Sequence, residues 1–300
     1  VTVGEGNDID AVAWSRGDRV AFSAARFSPD IWVLDVASAA LSQVTRDTSE
    51  ETYPHISPDG TTLLMESDRT GVSRAIWTVG LPGGQPSRLS LTDAEAYDPR
   101  WSPDGERVAY VRREETTWSL VIHSLGGVTS QAVRTSRPGV LGGPDWSRDG
   151  KWLAYHDAPD ESVIGIWIHE IGGQARRLAD DAIFATWSPD DARIAFQRGD
   201  GVQRQIWTVP VVGGEPRQVT SGAFEHSHPQ WSPTDPDRIL MLLDHENLAT
   251  VSVRTGEVTP LTHFDESTVR VDYPSWSFDG TKIYFSLVRR VGDIYMLEDY

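Results

Sequence analysis

The chain has 300 residues, of which 39% are hydrophobic and 24% are charged, a composition typical of a folded globular protein. Its 44 acidic and 27 basic residues give a net charge of −17, which argues against a nucleic-acid partner because such a partner needs a basic surface. The absence of cysteine excludes disulfides, thiolate metal sites and a cysteine nucleophile, and no apolar run reaches the roughly 18 residues of a membrane span.

One short motif recurs from end to end. It starts with an aromatic residue or isoleucine and continues as Ser-Pro-Asp-Gly or a near copy, at intervals of 41 to 45 residues. The seven copies start at Trp14, Ile56, Trp101, Trp146, Trp187, Trp231 and Trp276. A fixed period of this length indicates stacked copies of one supersecondary unit.

Each copy contains four short runs of strand composition. In the copy at Trp101, apolar runs lie at 108–111, 120–122 and 132–133, each bounded by turn residues. Proline, aspartate and glycine suit successive positions of a tight turn, so Ser-Pro-Asp-Gly is predicted to join the first strand to the second. Four antiparallel strands in such a unit are the blade of a β-propeller.

The two ends of the chain suggest how the ring closes. The seventh copy stops after its third strand, and the β-branched stretch Val1–Val3 precedes the first copy. We therefore predict an all-β, seven-bladed propeller of four-stranded antiparallel blades, one domain over residues 1–300, whose last blade is completed by residues 1–5. The repeats are predicted to start near residues 9, 51, 96, 141, 182, 226 and 271.

The repeats resemble those of the TolB-type propeller family, whose hallmark is an aromatic residue followed by Ser-Pro-Asp-Gly. The match covers essentially the whole chain and is nearly complete at Ser57–Gly60 and Trp101–Gly105. Propellers of this type occur in TolB, which docks partner proteins, and behind bacterial Ser/Thr kinase or winged-helix domains. The resemblance implies a docking or sensing module with a protein or peptide partner and no cofactor, a monomeric propeller natively fused to another domain, in the bacterial periplasm or cytoplasm.

Two repeated positions have a structural and a functional interpretation. The turn aspartates could form a ring of cation ligands, but each is expected to cap its own turn by accepting backbone N–H bonds. They are Asp59, Asp104, Asp149, Asp190 and Asp279. The aromatic residues that open the motif are expected to pack between blades.

The position three residues before the motif varies among the copies, where only tyrosine occurs twice, and such variation is unusual for a framework position. Around the ring it reads Ala11, Tyr53, Asp98, Gly143, Phe184, His228 and Tyr273. These residues are predicted to enter the inner strands beside the central channel, with arginines such as Arg112 and Arg289 in loops on the same face. Aromatic residues and arginine are typical of interface anchors, so this face is the predicted binding surface. Ordinary loop variation is the alternative.

The segment His226-Ser227-His228 is the sharpest local signal for a metal. Two histidines at i, i+2 on a strand face one side, as two ligands would. The segment resembles part of the manganese site of oligogalacturonate lyases, but Ala223 stands where that site has a glutamine, and Pro144-Asp145 and Ala185-Thr186 stand where a further histidine motif is expected. His226 and His228 are therefore weak metal candidates.

The sequence favours a non-catalytic propeller that binds a protein partner or small ligand on its variable face. No Gly-x-Ser-x-Gly elbow is present to indicate a hydrolase. A metal-dependent lyase acting on acidic sugars and a purely structural scaffold are the two alternatives.

Overall fold

The computed structural model describes residues 7–15, 19–26, 29–71, 73–90, 92–126, 130–136, 140–159, 163–199, 203–264, 269–289 and 291–297, and describes side chains only between residues 29 and 289. The regular structure of this part of the chain consists of β-strands. No helix within it has the length and apolarity that crossing a membrane requires.

The described residues form 27 strands. They are β1 (Asn7–Ser15), β2 (Arg19–Arg26), β3 (Asp30–Asp35), β4 (Leu41–Gln43), β5 (Glu51–Ile56), β6 (Thr62–Ser67), β7 (Ala75–Gly80), β8 (Ser87–Arg88), β9 (Glu95–Trp101), β10 (Arg107–Glu114), β11 (Thr117–Ser124), β12 (Ser130–Ser136), β13 (Leu141–Trp146), β14 (Trp152–Asp157), β15 (Gly165–Glu170), β16 (Ala175–Asp180), β17 (Ile183–Trp187), β18 (Arg193–Arg198), β19 (Gln205–Pro210), β20 (Arg217–Gln218), β21 (His226–Trp231), β22 (Arg238–Leu243), β23 (Asn247–Ser252), β24 (Val258–Pro260), β25 (Val269–Trp276), β26 (Lys282–Arg289) and β27 (Val291–Leu297).

Six four-stranded antiparallel sheets form the blades of a ring. The first five blades are β5–β8, β9–β12, β13–β16, β17–β20 and β21–β24, and the sixth blade has the strand order β25-β26-β3-β4. The inner strand of the sixth blade, β25, contacts β5 of the first blade, so the ring closes there. The all-β propeller of four-stranded blades is confirmed, and the predicted number of seven blades is wrong.

The seventh repeat does not make a blade of its own because the first and last repeats share their strands. β26 pairs with β3, with Lys282 opposite Asp35 and Leu287 opposite Asp30. β2 pairs with β1 and with β27 in a separate three-stranded sheet. The predicted closing strand, residues 1–5, lies outside the described residues, and the sixth blade is completed by β3 and β4.

The similar sequences of two strands explain why counting repeats gives the wrong number of blades. β3 carries Ile31-Trp32 and β27 carries Ile294-Tyr295 at the corresponding place, so either strand suits the edge of β26. β3 brings a fourth strand, β4, while no strand follows β27 within the described residues. Pairing with β3 therefore gives β26 a complete blade.

The core lies between neighbouring blades. Trp187 of the fourth blade is only 6% exposed and packs with Ile166 and Ile168 of the third blade. Trp231 of the fifth blade packs in the same way with Ile206 of the fourth. The opening tryptophan of each of the second to sixth blades thus stabilises the contact with the preceding blade, which explains why it recurs.

Candidate functional site

The variable position lies in a bulge of each inner strand. Pairing between the inner and second strands shifts register at this point in all six blades of the ring. The residues there have left-handed backbone conformations, with φ of 52° at Tyr53, 53° at Asp98, 57° at Gly143, 54° at Phe184, 50° at His228 and 54° at Tyr273. Five of the six are not glycine, and such conformations are strained and concentrate at functional sites.

A proline beside the variable position makes the bulge easier to form. It follows Tyr53, Asp98, Gly143, His228 and Tyr273, whereas Ala185 follows Phe184. Because proline has no backbone N–H, it loses no hydrogen bond where the two strands stop pairing. This X-Pro pattern inside a strand is a sequence signal for the bulge. The sequence prediction did not use that signal.

Side chains from the preceding blade hold several bulges in place. The N–H of Asp98 donates to Glu66 Oε1 at 2.6 Å, and the N–H of His228 donates to Gln197 Oε1 at 2.8 Å. The N–H of Phe184 donates to His156 Nδ1 at 3.4 Å. Glu66, His156 and Gln197 occupy equivalent places in the second strands of their blades. These residues were missed in the sequence prediction because they differ chemically from blade to blade.

One variable residue takes over this role where the second strand has no acceptor. In the second blade the equivalent place is held by Val111, which cannot accept a hydrogen bond. The N–H of Gly143 instead donates to Asp98 Oδ2 at 2.7 Å. Asp98 therefore belongs to the support of the face, and at 8% exposure it offers little surface to a ligand.

Four of the variable residues form a continuous row of rings. The rings of Tyr53 and Tyr273 stack with centroids 3.6 Å apart, and His228 meets Tyr273 edge to face at 5.3 Å. His228 also packs against Phe184 at 4.3 Å. Tyr53, Phe184 and Tyr273 are half-buried, whereas His228 is only 8% exposed. We call this row of Phe184, His228, Tyr273 and Tyr53 the aromatic row, and the end of the channel that it occupies the funnel face.

Burial disfavours the charged forms of several groups around the aromatic row. It lowers the pKa of His228 to about 3 and that of His156 to about 4. It also raises the pKa of Glu66 and of Asp98, whose carboxyl groups repel each other. The rings of His228 and His156 are thus uncharged at neutral pH, and the row is a partly apolar surface.

A charged cluster borders one side of the aromatic row. His245 Nδ1 lies 3.0 Å from Asp272 Oδ1, and His245 Nε2 lies 3.4 Å from Glu225 Oε1. The hydrogen bond to Asp272 raises the pKa of His245. Since the ring of His245 also touches His228 at 5.5 Å, this cluster fixes the edge of the row.

The two predicted rim arginines do not join the aromatic row. Arg112 Nε lies 3.4 Å from Glu114 Oε1, and the guanidinium of Arg289 covers the ring of Trp32 at 5.1 Å. Arg69, Arg113 and Arg198 cover the third-strand tryptophans of their own blades similarly. Except for Arg69, these arginines lie in strands and not in the predicted loops, and the cation–π contacts give them a role within the blades.

The bulge also separates the two candidate metal ligands. His226 is 3% exposed, and its Nδ1 lies 3.0 Å from Gln205 Oε1, whereas His228 lies in the aromatic row. The residue at i+2 no longer faces the same side as residue i where the strand bulges. Within the described residues, no three histidine or acidic side chains are grouped as metal ligands would be.

The turn aspartates bond within their own turns. Asp279 Oδ1 accepts from the Ser277 hydroxyl at 2.6 Å and from the Thr281 N–H at 3.0 Å, and Asp190 and Asp104 repeat this pattern. The serine hydrogen bond lowers the pKa of Asp279 and of Asp190. The recurring carboxylates therefore shape the turns, as the capping interpretation proposes. We call the end of the channel that carries these turns the hairpin face.

The fold and the site define a six-bladed β-propeller whose variable inner-strand residues lie together at one end of the channel. The model of the TolB beta propeller domain matches residues 6–127 and 95–297. The chain belongs to this family.

Two relatives illustrate the range of the likeness. The chain is 28% identical over 131 residues to the Tol-Pal system protein TolB of Anaeromyxobacter dehalogenans, a match that covers 42% of this chain and 29% of TolB. It is 26% identical over 236 residues to an uncharacterized protein of Agrobacterium fabrum, covering 78% of this chain and 68% of that protein. The chain thus spans less than a third of the TolB protein that it matches.

Solved structures support the fold. An Agrobacterium tumefaciens protein provisionally assigned as TolB superposes with a TM-score of 0.74 at 23% identity, over 88% of this chain and 99% of that one. An oligogalacturonate lyase in complex with manganese gives a TM-score of 0.59 at 13% identity, over 93% of this chain and 98% of that one. At these identities the likeness concerns the fold alone.

Proposed function

We propose that this propeller is a non-catalytic docking module that binds a segment of a protein partner on its funnel face. The single observation that carries the proposal is the aromatic row, in which three half-buried rings lie beside the axis on strained bulges and contact one another or His228. Large aromatic side chains in a preformed surface are typical binding anchors, because little conformational entropy is lost when they meet a partner. The name of the Tol-Pal system relative agrees with a role in an assembly of proteins.

The surroundings of the row favour a partner segment with apolar and aromatic side chains. His228 is uncharged at neutral pH, and burial raises the pKa of the carboxyl groups of Glu66 and Asp98, which disfavours their charged forms. An incoming apolar side chain would cover Tyr53, Phe184 and Tyr273 without stripping water from a strong charge. The ion pairs of Arg204 and Arg270 at the edge would then form a polar rim.

A peptide-display selection tests this proposal. Immobilised propeller should select peptides with aromatic or large apolar residues, and Phe184→Ala should weaken a selected peptide at least about tenfold, a loss of about 1.4 kcal/mol. Arg148→Ala, on the hairpin face, is the matched control and should leave the affinity unchanged. Selected peptides that bind Phe184→Ala and Tyr53→Ala as tightly as the wild type would refute the proposal.

The lyase alternative receives less support from the arrangement of the histidines. The second nitrogen of a ligand pair would have to come from His226, which is buried against Gln205 of the neighbouring blade. Manganese titration followed by isothermal calorimetry separates the two functions. We expect no saturable binding by the wild type, and stoichiometric binding that is lost in His228→Ala would favour the lyase.

A further inference from the structure

The opposite end of the channel holds a cavity that the funnel face does not include. It opens on the hairpin face, where Pro103, Pro189, Pro233 and Phe278 surround its mouth. Its enclosed volume is about 100 Å³, and the space including the open mouth is about 620 Å³. The enclosed part is smaller than a typical small-molecule site, so a ligand the size of one sugar ring would lie partly in the open mouth.

The floor of the cavity is a ring of polar side chains fixed by the next blade. They come from the position just before the motif in each inner strand. His55 Nδ1 accepts the N–H of Trp101 at 3.0 Å, Asp145 Oδ2 accepts that of Trp187 at 2.8 Å, and Thr186 Oγ1 accepts that of Trp231 at 3.2 Å. These bonds orient the floor before any ligand arrives.

Other groups on the floor are free to bond a ligand. The side-chain amide of Gln230 makes no hydrogen bond to the described residues, and it offers two N–H donors and a carbonyl acceptor. The hydroxyl of Ser275, a residue only 1% exposed, has no partner among them either. Burial lowers the pKa of His55, so its ring is neutral and, with Nδ1 accepting, carries its proton on Nε2. The floor therefore presents donors and acceptors side by side.

Groups of opposite charge lie near the floor of the cavity. Asp145 is the carboxylate of the floor, and burial raises its pKa to about 6 although Arg100 acts to lower it. Arg100 is itself 8% exposed. A cationic ligand would meet Arg148, which lies exposed at the mouth, and an anionic ligand would meet Asp145. A neutral polar ligand suffers neither repulsion.

We propose that this cavity binds a neutral pyranose sugar. The hydroxyl groups around the edge of such a ring each donate and accept, which suits Gln230, Ser275 and Asp145. The C–H face of the ring is apolar and suits Phe278 and the prolines. The site is separate from the proposed partner-binding face, since it lies at the other end of the channel.

Intrinsic tryptophan fluorescence provides a direct assay because five tryptophans line the cavity. The probes are methyl β-D-glucopyranoside, methyl β-D-galactopyranoside and N-acetyl-D-glucosamine, with saturation-transfer NMR as a second readout. At least one should bind saturably with a Kd of about 1 mM, or −4.1 kcal/mol. Gln230→Ala and Ser275→Ala should each weaken it about fivefold, the usual effect of one hydrogen bond. Phe184→Ala, on the funnel face, is the control and should retain wild-type affinity.

Several results would overturn the sugar site. One is the absence of saturable binding by all three probes up to about 50 mM, far above the expected Kd. Another is equal affinity of the wild type, Gln230→Ala and Ser275→Ala, with thermal melting confirming that both variants fold. Binding of choline or butyrate in preference to the sugars would assign the cavity to a charged ligand. None of these results bears on the peptide assay of the funnel face, so the two proposals fail separately.

Discussion

The two ends of the channel differ although the same six inner strands form both. At the hairpin face the strands end in nearly identical turns, capped by Asp104, Asp190, Asp279 and their equivalents. Three residues before the motif, at the funnel face, Phe184, His228 and the others share a backbone conformation but not a side chain. The comparison teaches that the repeat keeps the bulge as a backbone shape, while the side chain placed on it differs with its neighbours in the adjoining blades.

The largest expected effect is a difference in stability between alanine variants at two positions of β17, Trp187 and Phe184. Trp187→Ala removes a buried ring from the contact between the third and fourth blades and should lower the free energy of unfolding by about 3 to 5 kcal/mol. Phe184→Ala, three residues earlier and half-buried, should cost about 1 kcal/mol. Equilibrium urea unfolding measures both. Equal losses would show that the variable position is a core position.

A designed disulfide tests the closure of the ring. Asp35 in β3 and Lys282 in β26 lie directly opposite each other, and the chain has no cysteine to interfere. Asp35→Cys with Lys282→Cys should form an intramolecular disulfide that raises the free energy of unfolding by about 2 to 4 kcal/mol. Non-reducing electrophoresis detects the bond, and each single variant is a control. If the double variant fails to cross-link, β3 does not complete the sixth blade.

The stability of the folded protein should depend on pH through Asp145, a carboxyl group that lines the channel. Burial raises the pKa of Asp145 to about 6, above its value in the unfolded chain, so the folded state binds its proton more tightly. The contribution of Asp145 to stability is therefore present at low pH and is lost as the pH rises through about 6. The stability of the wild type relative to Asp145→Asn should fall between pH 4 and pH 7, as measured by urea unfolding at each pH. A constant difference would contradict the raised pKa.

The smallest effect concerns a single turn. Asp104 accepts hydrogen bonds from the Ser102 hydroxyl, the Glu106 N–H and the Arg107 guanidinium. Asp104→Ala should lower the free energy of unfolding by about 1 kcal/mol, because the turn is exposed and water replaces part of these bonds. Glu106→Ala changes an exposed side chain in the same turn and should have little effect. If both variants lower the free energy of unfolding equally, Asp104 does not cap the turn.

Local physical chemistry made much of the blade predictable from the sequence. The Ser-Pro-Asp-Gly turn, the strand runs and the aromatic residue between blades follow from turn propensities and from the need to bury apolar surface. The blade number could not be predicted by counting repeats, because β3 and β27 offer similar edges to β26 and only the complete pairing decides between them.

The candidate site was predicted in part. The variable position was located from its lack of repetition, and the structure brings Tyr53, Phe184, His228 and Tyr273 together in contact. Arg112 and Arg289 lie away from the aromatic row because an ion pair and ring stacking hold them within their own blades. Such contacts cannot be predicted from a strand pattern. The polar floor of the hairpin-face cavity was missed, since its side chains vary as freely as those of the loops.

Photo-crosslinking of a selected peptide tests the proposed docking face most directly. A peptide from the display selection, carrying benzoylphenylalanine in place of its aromatic anchor, is irradiated with the propeller, and the attachment sites are found by mass spectrometry. We predict attachment at Tyr53, Phe184, Tyr273 and the residues next to them. Attachment at Pro103, Pro189 or Phe278 would place the partner on the hairpin face and contradict the proposed docking surface.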